Sequence, residues 1–176
     1  MEQLLQRDGY VLRAPEPEDL DSMFRFENSS DLWEFSNTTG PYSRFHLKRY
    51  IEQTQNDLFV DRQLRLMIEN KEGQVVGIVD ICNFDPLHSR AEVGIVIHQK
   101  DRGKGIGSIV LSLLEAHCFR YLGIHQLFAY IDVTNIPSLR LFKACGYQEC
   151  ALLKDWIHAS GGYRDVLMVQ KINGIS

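Results

Sequence analysis

From Leu64 the apolar positions fall on every second residue. Leu64, Leu66 and Ile68 alternate with Arg65, Met67 and Glu69, the period of a half-buried strand. Asn70 to Gly73 supplies turn chemistry, and Gln74 to Cys82 forms the next strand, so the pair reads as a hairpin. Pro86 interrupts, and Ala91 to His98 is a further strand rich in Val and Ile. The period then lengthens. Ile106, Ile109, Val110, Leu113, Leu114, Cys118 and Tyr121 follow one helical face, which predicts a helix over about 105–122 that Gly123 ends. Leu127 to Val133 returns to strand character, and a strand–helix–strand order implies a right-handed parallel crossover.

The flanks are read the same way. Tyr10 to Arg13 is a short first strand. Pro15 and Pro17 bar a helix until Glu18, after which Leu20, Met23, Phe24 and Phe26 suit one helical face. Residues 29–41 are polar and end in Gly40-Pro41, which predicts a loop or a short irregular helix. Ser43 is a candidate N-cap for a helix carrying Phe45, Leu47, Tyr50 and Ile51 to about Asn56. Asn135 caps a short helix to Ala144, Gly146 ends it, and two strands about Gly161-Gly162 form a closing hairpin. No repeat, linker or low-complexity tract interrupts this order. One mixed α/β domain accounts for residues 1–176.

Composition changes this picture mainly by exclusion. A net charge of −4 without a dense Lys/Arg run gives no footprint for nucleic acid. No run of about 18 apolar residues exists to span a membrane, and the first residues lack the apolar stretch of a signal peptide. Cys82, Cys118, Cys145 and Cys150 form no C-x-x-C pair and read as reduced cysteines of a cytoplasmic protein. The six histidines have no metal-ligand spacing, and no metal is expected.

The chemistry concentrates at Arg102-Gly103-Lys104-Gly105-Ile106-Gly107, between a strand and an amphipathic helix. Glycines at every second position let backbone N–H groups converge on a ligand, and a helix N-terminus favours an anion such as phosphate. The same glycines also suit a turn that needs positive φ and binds nothing. The Rossmann pattern fails because the third glycine arrives one residue early. The Walker pattern fails because Gly105 follows Lys104 where Ser or Thr is required. A nucleotide-binding α/β domain therefore loses both of its fingerprints.

What the turn does match is the R/Q-x-x-G-x-G/A signature of GNAT acetyltransferases, through Arg102, Gly105 and Gly107. Upstream, Ala91-Glu92-Val93-Gly94-Ile95-Val96-Ile97 resembles the strand of that family in which a bulge splays two parallel strands. Downstream, Asn135 to Tyr147 resembles its N-x-x-S-x-x-L-Y-x-x-x-G-F block. The tail Gly162-Tyr163-Arg164-Asp165 resembles the branch with spermidine acetyltransferases and acetyltransferases of ribosomal-protein N-termini. The resemblance runs from Tyr10 to about Lys171. It implies a central, mainly antiparallel sheet splayed at a parallel pair and flanked by helices, with acetyl-CoA as co-substrate and a primary amine as acceptor.

By that resemblance, the backbone of Arg102, Gly103, Lys104, Gly105, Ile106, Gly107 and Ser108 holds the pyrophosphate. Ile95, Val96 and Ile97 hold the pantetheine arm as an added strand would, and the Val96 N–H stabilises the oxyanion. Asn135 serves as N-cap and cofactor contact, and Ser138 faces the same side. Phe142 departs from the pattern, because relatives place there a Tyr that protonates the leaving thiolate. Tyr130 and Tyr147 are candidate substitutes. Glu92 and Asp80 are candidate general bases on the strands flanking the splay, or else surface or salt-bridged strand residues. Trp156 and Tyr163 either line the acceptor cleft or belong to the core.

The acceptor is a small-molecule amine or a protein N-terminus, and the neutral segment Ser36 to Pro41 weighs against polyamines. The missing Tyr also motivates a rival reading, an acetyl-CoA-binding sensor without catalysis. Nothing in the sequence decides between a monomer and a homo-oligomer.

Overall fold

The computed structural model describes residues 5–35 and 38–174. The alternation that begins at Leu64 becomes β3 (Leu64–Glu69). In the turn after it, Asn70 Oδ1 accepts the amides of Glu72 and Gln74, and Gly73 takes a φ of 75°. β4 (Val75–Asp85) and β5 (Arg90–Ile97) continue the antiparallel run. β1 (Gln6–Arg7) and β2 (Tyr10–Arg13) extend it beyond β3. β6 (Gln126–Asp132), β7 (Gln148–Ala159) and β8 (Gly162–Ile172) complete one sheet in the order β1-β2-β3-β4-β5-β6-β8-β7. Only β5 and β6 run parallel among the described strands.

Helices cover both faces. α5 (Ile106–Ala116) and α6 (Ile136–Ala144) lie on one side, where Val110, Leu111 and Leu114 meet Ile68, Val79, Val93 and Leu127. α1 (Leu20–Glu27) and α3 (Arg44–Gln53) lie on the other, where Met23 and Leu47 meet Met67 and Ile78. This second layer corrects the half-buried reading of β3. Met67 and Ile68 point to opposite faces, and both are fully buried.

Three local differences from the expected elements have physical causes. The α5 stripe does not reach Tyr121, which is exposed: residues His117–Tyr121 form a wider turn, with Leu122 N–H on the His117 carbonyl, that rotates the last side chains off the stripe. Phe45 is exposed because it precedes Leu47 by two residues, on the far side of α3. Of the two short helices, α2 (Ser30–Trp33) falls where a loop or short irregular helix is expected, and α4 (Leu58–Asp61) forms in a segment without apolar periodicity. The latter is capped by Asp57 Oδ1, which accepts the amides of Phe59 and Val60. Ser43 caps α3 as expected, accepting the His46 amide.

The feature that creates the site is the parting of β5 from β6. They pair only where Arg90, Ala91 and Glu92 face Gln126, Leu127 and Phe128. Beyond that point β5 stays bound to β4 as far as Ile97, and β6 stays bound to β8 as far as Asp132. The expected bulge in β5 is not where the strands part: its register against β4 is regular from Glu92 to Ile97. The irregularity falls in β4 between Cys82 and Asp85, where Asn83 adopts a φ of 48°.

Gly77 of β4 lies beside the open stretch of β5. A Cβ there would press on the Val96 carbonyl oxygen and come within 2.9 Å of Ile68 Cδ1. Gly77→Ala is expected to cost about 2–3 kcal/mol through overpacking. A urea titration that leaves the midpoint unchanged would show that the two strands separate freely at this point.

Candidate active site

The three glycines of the turn do two different jobs. Gly103 (φ 74°) and Gly105 (φ 77°) adopt the left-handed conformation, and a Cβ on either would meet nothing within 4 Å. They form an open cradle. Gly107 is helical, and its Cβ would sit 2.8 Å from Leu141 Cδ2, so it sets the approach of α6 to α5. Gly105 is the N-cap of α5 and supplies no capping side chain. The first amides of the helix, at Ile106, Gly107 and Ser108, therefore face the cradle without intrahelical acceptors. Arg102 Nε donates to the Ile97 carbonyl at 3.0 Å and fastens the turn to the end of β5. Lys104 reaches away, to Asp101 at 2.9 Å, and is absent from the cleft lining. Backbone dipoles, more than lysine charge, make this end attractive to a phosphate.

Strand register decides which backbone groups face the gap. The His98 amide donates to the Val76 carbonyl at 2.8 Å, and Val96 and Gly94 lie opposite Ile78 and Asp80. Bonded and non-bonded pairs alternate in an antiparallel ladder, so Val96 and Gly94 exchange their hydrogen bonds with β4. The groups turned toward the gap belong to Ile95 and Ile97. The amides that face the gap are therefore those of Ile95 and Ile97, where the sequence pointed to Val96.

A cleft of about 630 Å³ runs from the glycine turn through the splay to α1 and α2. Asp80, Ile95, Val96, Ile97, Arg102, Gly103, Gly105, Ile106, Gly107 and Ser108 line it, as do Asn135, Ser138 and Phe142 of the second block. Asn135 Oδ1 caps α6 by accepting the Ser138 amide at 3.3 Å. The Phe142 ring is buried, with an edge-on contact to Tyr147 at 4.9 Å between centroids. Tyr147 is buried behind it, outside the lining, and burial together with nearby Glu115 pushes its hydroxyl pKa up. Tyr147 is thus poorly placed and too weakly acidic to serve the cleft.

On the α1/α3 face of the sheet, Arg65 is the hub. Its Nε and Nη2 each donate to Asp80 at 2.8 Å, and Nη1 donates to Glu27. Burial opposes the guanidinium charge, but these two carboxylates outweigh it and hold the Arg65 pKa above its ordinary value. Asp31 and Asp132 join Glu27 and Asp80 in the lining. Arg164 of β8 pairs with Asp132 at 2.7 Å and Glu34 at 2.8 Å, tying α2 to the sheet. Glu92 shares the face of Asp80 but lies at the closed end of the splay, outside the lining, accepting from Asn83 Nδ2 at 2.6 Å.

Tyr130 of β6 lines the cleft, and its ring stacks on the exposed Trp156 at 6.1 Å. Trp156 and Tyr163 are not lining residues, and Tyr163 packs on His158. Glu27, Arg65 and Asp132 escaped the sequence reading. Arg65 had a signal: a hairpin turning at residues 70–73 sets it opposite Asp80, a cross-strand charge pair.

Residues 10–148 match the family described as Acetyltransferase (GNAT) domain. The chain belongs to this family. It is an acetyl-CoA-dependent N-acetyltransferase. It is 29% identical over 166 residues to an uncharacterized N-acetyltransferase, p20, of Bacillus licheniformis, covering 93% of each chain. It is 25% identical over 157 residues to a spermidine N(1)-acetyltransferase of Vibrio cholerae, covering 89% of this chain and 88% of that one. The solved ribosomal-protein-S5-alanine acetyltransferase of Vibrio fischeri superposes with a TM-score of 0.84 at 18% identity, covering 97% and 96% of the two chains.

For a GNAT enzyme, the cradle at Gly103 and Gly105 fits the pyrophosphate of acetyl-CoA, because a side chain at either glycine would fill it. Each backbone hydrogen bond to a charged phosphate is worth about 1.5–3 kcal/mol. Gly105→Val fills the cradle and strains a φ of 77°, so acetyl-CoA affinity should fall by about tenfold or more. Calorimetry on the folded variant checks this. An unchanged dissociation constant would move the pyrophosphate elsewhere.

Proposed function

We propose that this N-acetyltransferase acts on a small cationic primary amine of the polyamine class, which attacks the acetyl thioester directly. The observation that carries the acceptor class is the charge at the α1/α3 end of the cleft. Four carboxylates line it (Glu27, Asp31, Asp80 and Asp132), against the guanidinium of Arg65 and, from behind Asp132, that of Arg164. Formally, four minus two leaves two negative charges for a polycation. Neutrality of residues 38–41 does not weaken this, because the acids come from α1, α2, β4 and β6; Ser36 and Asn37 lie outside the described residues. The similarity to a spermidine acetyltransferase points the same way.

Each residue then has a definite task. The amides of residues 103 and 105–108 hold the pyrophosphate, and Ile95 and Ile97 present backbone groups to the pantetheine arm. Asn135 and Ser138 wall the same channel. The Ile95 N–H faces the gap where the thioester oxygen gains charge. A primary ammonium must lose a proton before it attacks, and Asp80 on the acceptor side is the carboxylate positioned to take it, directly or through water. Arg65 fixes that carboxylate and limits how far its negative charge dominates the site.

Thiol release from acetyl-CoA with spermidine, phenethylamine and an alanyl N-terminal peptide tests the acceptor class. Spermidine should show a kcat/KM about tenfold or more above the peptide, and the advantage should shrink in high salt as screening weakens attraction between separated charges. A peptide equal to or better than spermidine would overturn the reading.

A further inference from the structure

We infer that Tyr130 is the acid that protonates the departing coenzyme A thiolate, in place of the hydroxyl absent at Phe142. The inference rests on the amine acetyltransferase reading above, but not on the identity of the amine.

Among the described lining residues four carry a hydroxyl: Thr38, Ser108, Tyr130 and Ser138. A phenol is far closer in acidity to a thiol than an aliphatic alcohol is, so Tyr130 is the chemically suited member of the set. Its place in the sheet agrees. Glu92 faces Phe128 at the last paired position of β5 and β6, so two residues further on Tyr130 stands across from Gly94. Asp80 of β4 is the partner of Gly94 on the other side. Side chains two apart on a strand share a face, which puts Asp80, Gly94 and Tyr130 in one row on the acceptor face.

The row is open at its centre. A Cβ on Gly94 would meet nothing within 4 Å. A carboxylate and a phenol thus flank an empty position at the point where the strands begin to part. The Tyr130 hydroxyl makes no hydrogen bond to the described residues, and the residue is 40% exposed beside an open cleft from which water can reprotonate it. The neighbouring Ala129 and Ile131 belong to the other face, in the core against α5.

The step balances without another reactant. The amine nitrogen forms the C–N bond as the C–S bond breaks, and the electron pair of that bond passes to sulfur. The Tyr130 hydroxyl gives sulfur its proton. The ammonium sheds two protons, one before attack and one as the amide forms, and both leave in turn through Asp80 to water. Water then returns a proton to the phenolate.

Tyr130→Phe keeps the ring and its stacking on Trp156 while removing only the acid. A positioned general acid contributes about 10²–10⁴-fold, and water recovers part of that. We expect kcat for thiol release to fall about tenfold or more, with acetyl-CoA affinity within about twofold of wild type. Phe142→Tyr in the Tyr130→Phe background should recover at least about half of the lost rate on a logarithmic scale, because it restores a phenol to the cleft from the opposite side. Tyr163→Phe, which removes a phenol outside the cleft lining, should stay close to wild type. Spermidine, phenethylamine and the alanyl peptide serve as acceptors, and the comparison uses whichever the wild-type enzyme turns over fastest. A wrong acceptor class therefore leaves this test standing. A Tyr130→Phe enzyme with more than half the wild-type kcat would overturn the assignment, as would a Tyr163→Phe loss as large as that of Tyr130→Phe.

Discussion

Everything functional in this chain depends on two strands that stop pairing. Parallel neighbours in a sheet normally satisfy each other's backbone groups along their whole length, and buried polar groups left without partners are costly. β5 and β6 give up that pairing after Glu92 and Phe128 because each is held by its outer neighbour. The ladder bonds of Val96 and Gly94 to β4 hold β5 while the backbone groups of Ile95 and the Ile97 amide face the gap, the Ile97 carbonyl already accepting from Arg102 Nε. An extended pantetheine arm provides hydrogen-bonding groups of the same kind. The fold is thus a sheet with a strand's width left open between β5 and β6.

The acceptor side is governed by a second constraint, the cost of gathering carboxylates in a partly buried cleft. Glu27 and Asp80 share one guanidinium, and Asp132 is answered by Arg164 from β8. Removing Arg65 would leave two carboxylates facing each other with little water, a penalty larger than the pair's own net worth. The arginines therefore do more than neutralise. Arg65 joins α1 to β3 and β4, and Arg164 joins α2 to β8, so the charges at this end of the cleft also position the helices around it.

Much of this could be seen in the sequence where a periodicity or a glycine spelled it out. The strand and helix order, the caps at Ser43 and Asn135 and the glycine turn all have local causes, and the structure reproduces them. The failures have non-local causes. Met67 appeared solvent-facing because its alternation with Leu66 and Ile68 is real; what buries it is a helical layer contributed from residues 20–53. The amides of Ile95 and Ile97, and not that of Val96, face the gap because hydrogen-bond parity depends on the β4 partner, not on the composition of β5. Glu27, Asp132 and Arg164 are ordinary charged residues in sequence, separated by more than 130 positions, and only the fold makes them one site.

The two ends of the cleft are made of different material, and this bears on what can vary. The phosphate end is mostly backbone: left-handed glycines, first-turn amides and strand edges whose presentation depends little on side-chain identity. The acceptor end is mostly side chain: Glu27, Arg65, Asp80, Tyr130 and Asp132, each on a different element or strand position. A change of side chain at that end alters charge and shape while the sheet and the turn stay in place. Phe142 sits where the two meet, on α6 with the cofactor-binding residues but beside the reacting centre. Its ring closes the core against Tyr147. A proton donor can then move to β6, across the gap, because any side chain on the open row beside Gly94 faces the same empty space. What the fold fixes is the gap itself, and several positions around its rim can deliver a proton to it.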